Sequence, residues 1–190
     1  MGRVTGKDIV LREFRWEDLP DIRAWVTDPS ITRWLSGAFM KPHTWEQTEQ
    51  YLHNLLEGGS GANFVIARRE DLAYLGQCNL MMVDNVSRKA EMAMVLQAQH
   101  AGQGIGTQAG ELLMDFAFRQ MNLNRVHLRV YADNLRAIRL YRKLGFRQEG
   151  CLREDTYRDG AYRDTLAMGL LRREWMERTL SAGPNPGQDA

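Results

Sequence analysis

Cysteine is nearly absent from this chain: Cys78 and Cys151 are the only two among 190 residues. Two thiols cannot build a disulfide framework, and by themselves they cannot supply a four-ligand zinc site, so no metal is expected. An excess of either charge is missing too. The 25 Lys and Arg stand against 24 Asp and Glu, a formal net charge of +1. That leaves no global field to recruit nucleic acid or an anionic membrane. No apolar run approaches the ~20 residues that span a bilayer. The opening Met1-Gly2-Arg3-Val4-Thr5-Gly6-Lys7-Asp8 lacks the apolar stretch of a secretory signal, so a cytoplasmic location is expected. What is present is ordinary for a globular protein, with 44% hydrophobic and 26% charged residues. The length suffices for one sizeable core. We expect a single domain over residues 1–180 and a disordered tail over 181–190, where Gly183-Pro184-Asn185-Pro186-Gly187 follows Ser181.

Local patterns give an alternation of strands and helices. Ile9–Phe14 reads as a first strand. Glu17 and Asp18 before Pro20 open a helix whose apolar stripe is Ile22, Trp25 and Val26, and Pro29 stops it. Residues 29–43 have no period and read as an irregular loop. Thr44 with Gln47 forms a capping box for a second helix to about Glu57, ended by Gly58-Gly59-Ser60-Gly61. Strands are expected at Asn63–Arg68, Tyr74–Val83 and Lys89–Leu96, the last two antiparallel because their connection is short. A helix over Gly104–Gln120, a strand over Val126–Tyr131 and a helix over Asn134–Leu144 closed by Gly145 follow. Phe146–Leu152 and Thr165–Leu171 read as the last two strands.

Two segments carry chemistry. In the first, His100-Ala101-Gly102-Gln103-Gly104-Ile105-Gly106-Thr107, three glycines alternate between a strand and a helix. Glycine permits close backbone approach and unusual φ angles. The first-turn amides of a helix lack internal partners and carry positive potential, so the loop reads as a pyrophosphate cradle made of backbone. A plain flexible turn is the alternative. Gly104-Ile105-Gly106-Thr107-Gln108-Ala109 also fits a dinucleotide fingerprint, with Asp133 as its acid. Against that, the loop lies past the midpoint of the chain, after an antiparallel meander, with too little chain beyond it for a doubly wound sheet.

The second segment is Asn134-Leu135-Arg136-Ala137-Ile138-Arg139-Leu140-Tyr141-Arg142-Lys143-Leu144-Gly145-Phe146. Together with the glycine loop it resembles the acetyl-CoA site of the GNAT family of N-acetyltransferases, over roughly residues 8–175. The resemblance implies an α/β fold, a mostly antiparallel mixed sheet of about seven strands flanked by about four helices. It implies acetyl-CoA as co-substrate. The pantetheine arm would pair with backbone at Met94, Val95 and Leu96. The pyrophosphate would sit on Ala101, Gly102, Gln103, Gly104, Ile105, Gly106 and Thr107. Asn134, Ala137, Tyr141 and Lys143 would complete the cofactor site. Ala101 stands where the family usually has Gln or Arg, which removes one polar side chain from a cradle that is mostly backbone. Tyr141 would lie near the thioester sulfur as general acid; without the motif it would read as a core aromatic. Glu91 begins the strand that ends at the thioester and is the candidate base, with a surface or ion-pair role as its alternative. His100 and His127 have no partner pattern for a triad or a metal.

Within the family the chain resembles the branch that holds ribosomal-protein N-terminal, spermidine and nucleotide-aminosugar acetyltransferases, through its β–α–loop–α start and the late Arg158-Asp159-Gly160-Ala161-Tyr162-Arg163-Asp164 turn. The loop over 29–43 should border the acceptor. It carries Arg33 and Lys41 and no carboxylate, which disfavours a polyamine. Arg33 could pair with an anionic group of the acceptor, and Trp34 could cover its apolar part. The expected partners are a small-molecule amine or a peptide N-terminus, with neither nucleic acid nor membrane, and pairing as a homodimer stays open. The alternatives are an acetyl-CoA-binding module without turnover and an acetyltransferase of polyamines or amine antibiotics.

Overall fold

The computed structural model describes residues 3–58 and 61–181, less the side chains of Ala38 and Met40. One eight-stranded sheet organises them, in the order β1-β2-β3-β4-β5-β6-β8-β7. The strands are β1 (Val4–Thr5), β2 (Ile9–Arg12), β3 (Ala62–Arg68), β4 (Tyr74–Asp84), β5 (Lys89–Leu96), β6 (Arg125–Tyr131), β7 (Arg147–Arg158) and β8 (Ala161–Leu171). Every pairing is antiparallel except β5 with β6.

Helices cover both faces. On one lie α1 (Leu19–Val26) and α3 (Trp45–Leu56); on the other lie α4 (Ile105–Asp115), α5 (Leu135–Leu144) and α6 (Arg172–Ser181). A one-turn helix, α2 (Pro29–Thr32), and a tight turn over Gly37–Met40 occupy the stretch read as irregular. Alternation along the strands divides the core. Leu80, Met92, Val126 and Leu128 pack on Leu113, Ile138 and Leu144. Val10, Val65 and Val95 pack on Ile22, Trp25 and Leu52. Burying a side chain of this size is worth about 1.5–3 kcal/mol, so these two layers supply most of the drive to fold.

The helix ends follow from their residues. Thr44 and Gln47 exchange the two capping-box hydrogen bonds at α3. At α5, Asn134 Oδ1 accepts from the Ala137 amide at 3.2 Å. Gly145 closes α5 with a φ of +98°, and the Phe146 amide returns to the Tyr141 carbonyl. Before α1, the Arg12 guanidinium grips both carboxylate oxygens of Asp18 at 2.9 and 2.7 Å, and both side chains are only 5% exposed.

Some elements differ from expectation. The helix expected to Gln120 leaves α-geometry at Asp115 and continues as a π-turn over Phe116–Gln120. β1 is too short for a period to show. α6 has a weak apolar face, and Trp175 is its one buried residue. β7 and β8 run as a long hairpin to Arg158 and Ala161, beyond the expected ends. The expected tail lies outside the described residues except for Ser181, which ends α6, and so do Gly59 and Ser60 of the expected helix stop.

Candidate active site

The parallel pair determines where the site lies. β5 and β6 are in register at Lys89–Arg125, Ala90–Val126 and Glu91–His127, and their pairing ends there. β5 continues to Leu96 and β6 to Tyr131. Met94, Val95 and Leu96 stay paired with β4 on one side only. The strands therefore splay, and the N–H and C=O groups on the β6-facing edge of β5 are left for a ligand.

A cleft of about 1190 Å³ opens at this splay, larger than the ~300–1,000 Å³ typical of drug-sized ligands. Its wall includes Glu91, Met94, Val95, Leu96, Ala101, Gly102, Gly104, Gly106, Thr107, Asn134, Ala137, Tyr141, Lys143 and Trp34. Three expected residues fall outside that wall. Gln103 donates from its side chain to the Gln99 carbonyl at 2.9 Å. Ile105 points into the core. Arg33 pairs with Asp159 at 3.8 Å and lies over the Trp34 ring. Arg33 is not among the residues that line the cleft.

The glycine loop has the shape of an anion cradle. Gly102 and Gly104 take φ of +83° and +81°, and a Cβ at either would meet nothing within 4 Å. They are needed for backbone conformation, at a cost of roughly 1–2 kcal/mol for other residues. Thr107 and Gln108 are the first amides to return to the Gly104 carbonyl, at 3.0 and 3.1 Å. The amides of Ile105 and Gly106 thus point out of the helix end without an acceptor. Gly106 has a different reason: a Cβ there would meet Leu140 and Leu96 at 3.3 Å. It lets α4 close against both sides of the splay.

Tyr141 is 8% exposed, with its ring edge-on to Phe146 at 5.9 Å. Its hydroxyl has no hydrogen bond among the described residues. Burial pushes its pKa up to about 12. Glu91 lies on the opposite face of the sheet from Met92 and Met94, beside Asn79 and Met81 of β4. Its carboxylate has no ion pair among the described residues. Across the register, His127 is held below its usual value, by burial first and with the Glu91 charge opposing. Its Nδ1 is buried without a partner.

Sequence reading missed part of this wall. Arg136 and Arg139 line the cleft from α5 beside the expected Lys143, at helical spacing that puts all three on one side of it. Gln77 and Asn79 form its floor, joined to Tyr51, Tyr74 and Trp25 by a chain of hydrogen bonds. Trp25 Nε1 donates to Tyr74, Tyr74 to Gln77, and Gln77 to Tyr51 at 2.6 Å. Asp155 reaches the cleft from β7. The 29–43 loop alone gave no sign of these groups, because they come from strands distant in sequence.

A splayed parallel pair with a backbone anion cradle at one end and a buried phenol beside it defines a class of protein. Such a site holds an extended phosphorylated carrier and acts on the group at its tip. The chain belongs to the acetyltransferase (GNAT) domain family, whose model matches residues 8–147, and it is an acetyl-CoA-dependent N-acetyltransferase. It is similar to N-acetyltransferase p20 of Bacillus licheniformis, 29% identical over 168 residues, 88% of this chain and 94% of that one. It is also similar to spermidine N(1)-acetyltransferase of Escherichia coli, 28% identical over 185 residues, 97% of this chain and 95% of that one. Its fold matches that of a spermidine N-acetyltransferase from Vibrio cholerae, solved with CoA and spermine. There the TM-score is 0.81 at 22% identity, covering 90% of this chain and 99% of that one. Among the described residues, no helix is long and apolar enough to cross a membrane, and no group of three or more His, Cys, Asp or Glu could hold a metal ion.

Proposed function

We propose that the chain transfers acetyl by direct attack to a primary amine carried on a largely neutral body, as at a peptide N-terminus. The observation that carries this reading is the acceptor side of the cleft. Trp25, Trp34, Leu35, Phe39, Tyr51 and Tyr131 line it with apolar and aromatic surface. Gln77 and Asn79 add neutral amides. Arg33, the cation a nucleotide-linked aminosugar would want there, does not line the cleft.

In this reading acetyl-CoA lies with its pyrophosphate on the amides of the 101–107 loop. Its pantetheine arm pairs with the free edge of β5 at Met94–Leu96. Arg136, Arg139 and Lys143 add positive charge along its path, and the Asn134 amide nitrogen is left to donate to the arm. The acceptor enters from the Glu91 side, where Glu91 takes the ammonium proton directly or through a water. A β5 amide at the splay stabilises the charge on the carbonyl oxygen. Tyr141 then protonates the leaving sulfur. A phenol with a raised pKa suits this task, because the apolar slot that keeps it protonated also raises the basicity of the thiolate.

A second reading, a polyamine acceptor, is favoured by Glu91 and Asp155, which bring to the cleft the carboxylates that the 29–43 loop lacks, and by the spermidine acetyltransferases among the relatives. Turnover of acetyl-CoA with unblocked peptides, spermidine and aminosugars, compared by kcat/KM, decides between them. Higher kcat/KM for a peptide supports the first reading; higher kcat/KM for spermidine replaces it with the second.

A further inference from the structure

The acceptor wall is held from the β6–β8–β7 end of the sheet. Arg158, at the tip of β7, is 3% exposed. Its guanidinium donates to the Thr32 carbonyl through one Nη and to the Leu35 carbonyl through the other, both at 2.9 Å. The Tyr131 hydroxyl donates to the same Leu35 carbonyl at 2.9 Å. The guanidinium also lies over the Tyr131 ring, 5.4 Å from its centroid. Leu35 thus receives two side-chain donors, from β6 and from the β7–β8 hairpin.

We propose that Arg158 and Tyr131 are positioning residues whose clasp fixes the segment Ile31–Ser36 as the acceptor wall. Three features support this. Ile31, Trp34, Leu35 and Ser36 line the cleft, while α2, which holds Ile31 and leads into the others, is one turn long and has no buried residue. So short a helix does not hold its own position. The other tie from this segment to the hairpin, Arg33 with Asp159, is long at 3.8 Å and about half exposed, so solvent screens it. Ile31 and Leu35 pack partly buried against the Trp25 cluster, and the clasp is the buried polar connection from the segment to the hairpin. A planar fork that reaches two carbonyls and stacks on a ring is a task for arginine, and a lysine ammonium can satisfy only part of it. The inference rests on the family and the geometry and holds whichever amine is accepted.

The test uses the full chain with Arg158→Lys and, separately, Tyr131→Phe. Hydrogen exchange should speed up at residues 31–36 and stay unchanged at 102–107. Acetyl-CoA affinity, measured by calorimetry, should stay within about twofold. Tyr131 lines the cleft itself, so that variant is read by exchange, and Arg158→Lys is read also by KM for spermidine or an unblocked tripeptide, whichever is turned over. That KM should rise about tenfold or more, with kcat within about twofold. Wild-type exchange at 31–36 in both variants would overturn the proposal. So would faster exchange there with no change in the acceptor KM of Arg158→Lys, or an equal change in acetyl-CoA affinity. A wild-type enzyme that ignores the tripeptide refutes the peptide reading and leaves the clasp to be judged by exchange and by spermidine.

Discussion

Replacing Tyr141 by phenylalanine removes a single oxygen from the buried slot beside the splay. That hydroxyl has no hydrogen bond among the described residues, so its loss breaks no protein hydrogen bond, and the ring keeps its edge-on packing on Phe146. Thermal stability at neutral pH should therefore be unchanged or slightly higher. Turnover is another matter. If the hydroxyl protonates the leaving sulfur, its loss removes general acid catalysis, ordinarily worth ~10²–10⁴ in rate, or about 3–5 kcal/mol of barrier. Acetyl-CoA affinity should change little, because the cradle and the β5 edge remain. The pH behaviour separates this from packing. Burial raises the Tyr141 pKa from 10.0 to about 12, so the native state holds the proton more tightly than the unfolded chain. That contribution to stability is complete below the unfolded value of 10.0 and is lost as pH rises toward about 12. The Phe variant should lose less stability over that window, by up to about 3 kcal/mol. Steady-state turnover, calorimetry with acetyl-CoA and thermal melts at neutral and alkaline pH make the test. Turnover within twofold of wild type would reduce Tyr141 to a packing residue and refute the acid.

Glu91→Gln should lower turnover at neutral pH at least about tenfold, with recovery as the medium approaches the ammonium pKa of the acceptor; a loss that pH leaves untouched would remove Glu91 as the base. Gly104→Asp puts a side chain at a φ of +81° and a carboxylate where phosphate is expected, so calorimetry should show acetyl-CoA binding weakened at least tenfold; unaltered affinity would place the pyrophosphate elsewhere. Arg12→Leu strands the buried Asp18 charge, for which about 3–5 kcal/mol is usual; the melting temperature should fall by roughly 6–20 °C, and a fall of a degree or two would show that water reaches Asp18.

Where residues announce themselves locally, the sequence was enough. Thr44 with Gln47, Asn134 and Gly145 mark helix ends because a cap is a bond within one turn. The alternating glycines and Tyr141 stood out because their motif lies within two adjacent helices and the strand between them. The acceptor side was less legible. Trp34 lines the cleft, but Arg33, its neighbour, is diverted to Asp159, more than a hundred residues away. The carboxylates of the cleft come from β5, β7 and the turn before α5, so counting charges in the 29–43 loop could not find them. Arg158 was visible only as part of a turn, because its partners Thr32 and Leu35 are 126 and 123 residues away. α6 escaped for a different reason: with Trp175 alone buried, it lacks the apolar stripe that periodicity detects.

A crystal structure of the chain with CoA tests where the carrier lies. Pyrophosphate oxygens are expected on the amides of Ile105 and Gly106, the pantetheine arm along the free edge of β5, and the thiol sulfur within about 3.5 Å of the Tyr141 hydroxyl. CoA bound with its phosphates away from the 101–107 loop, or with its sulfur remote from Tyr141, would contradict that placement.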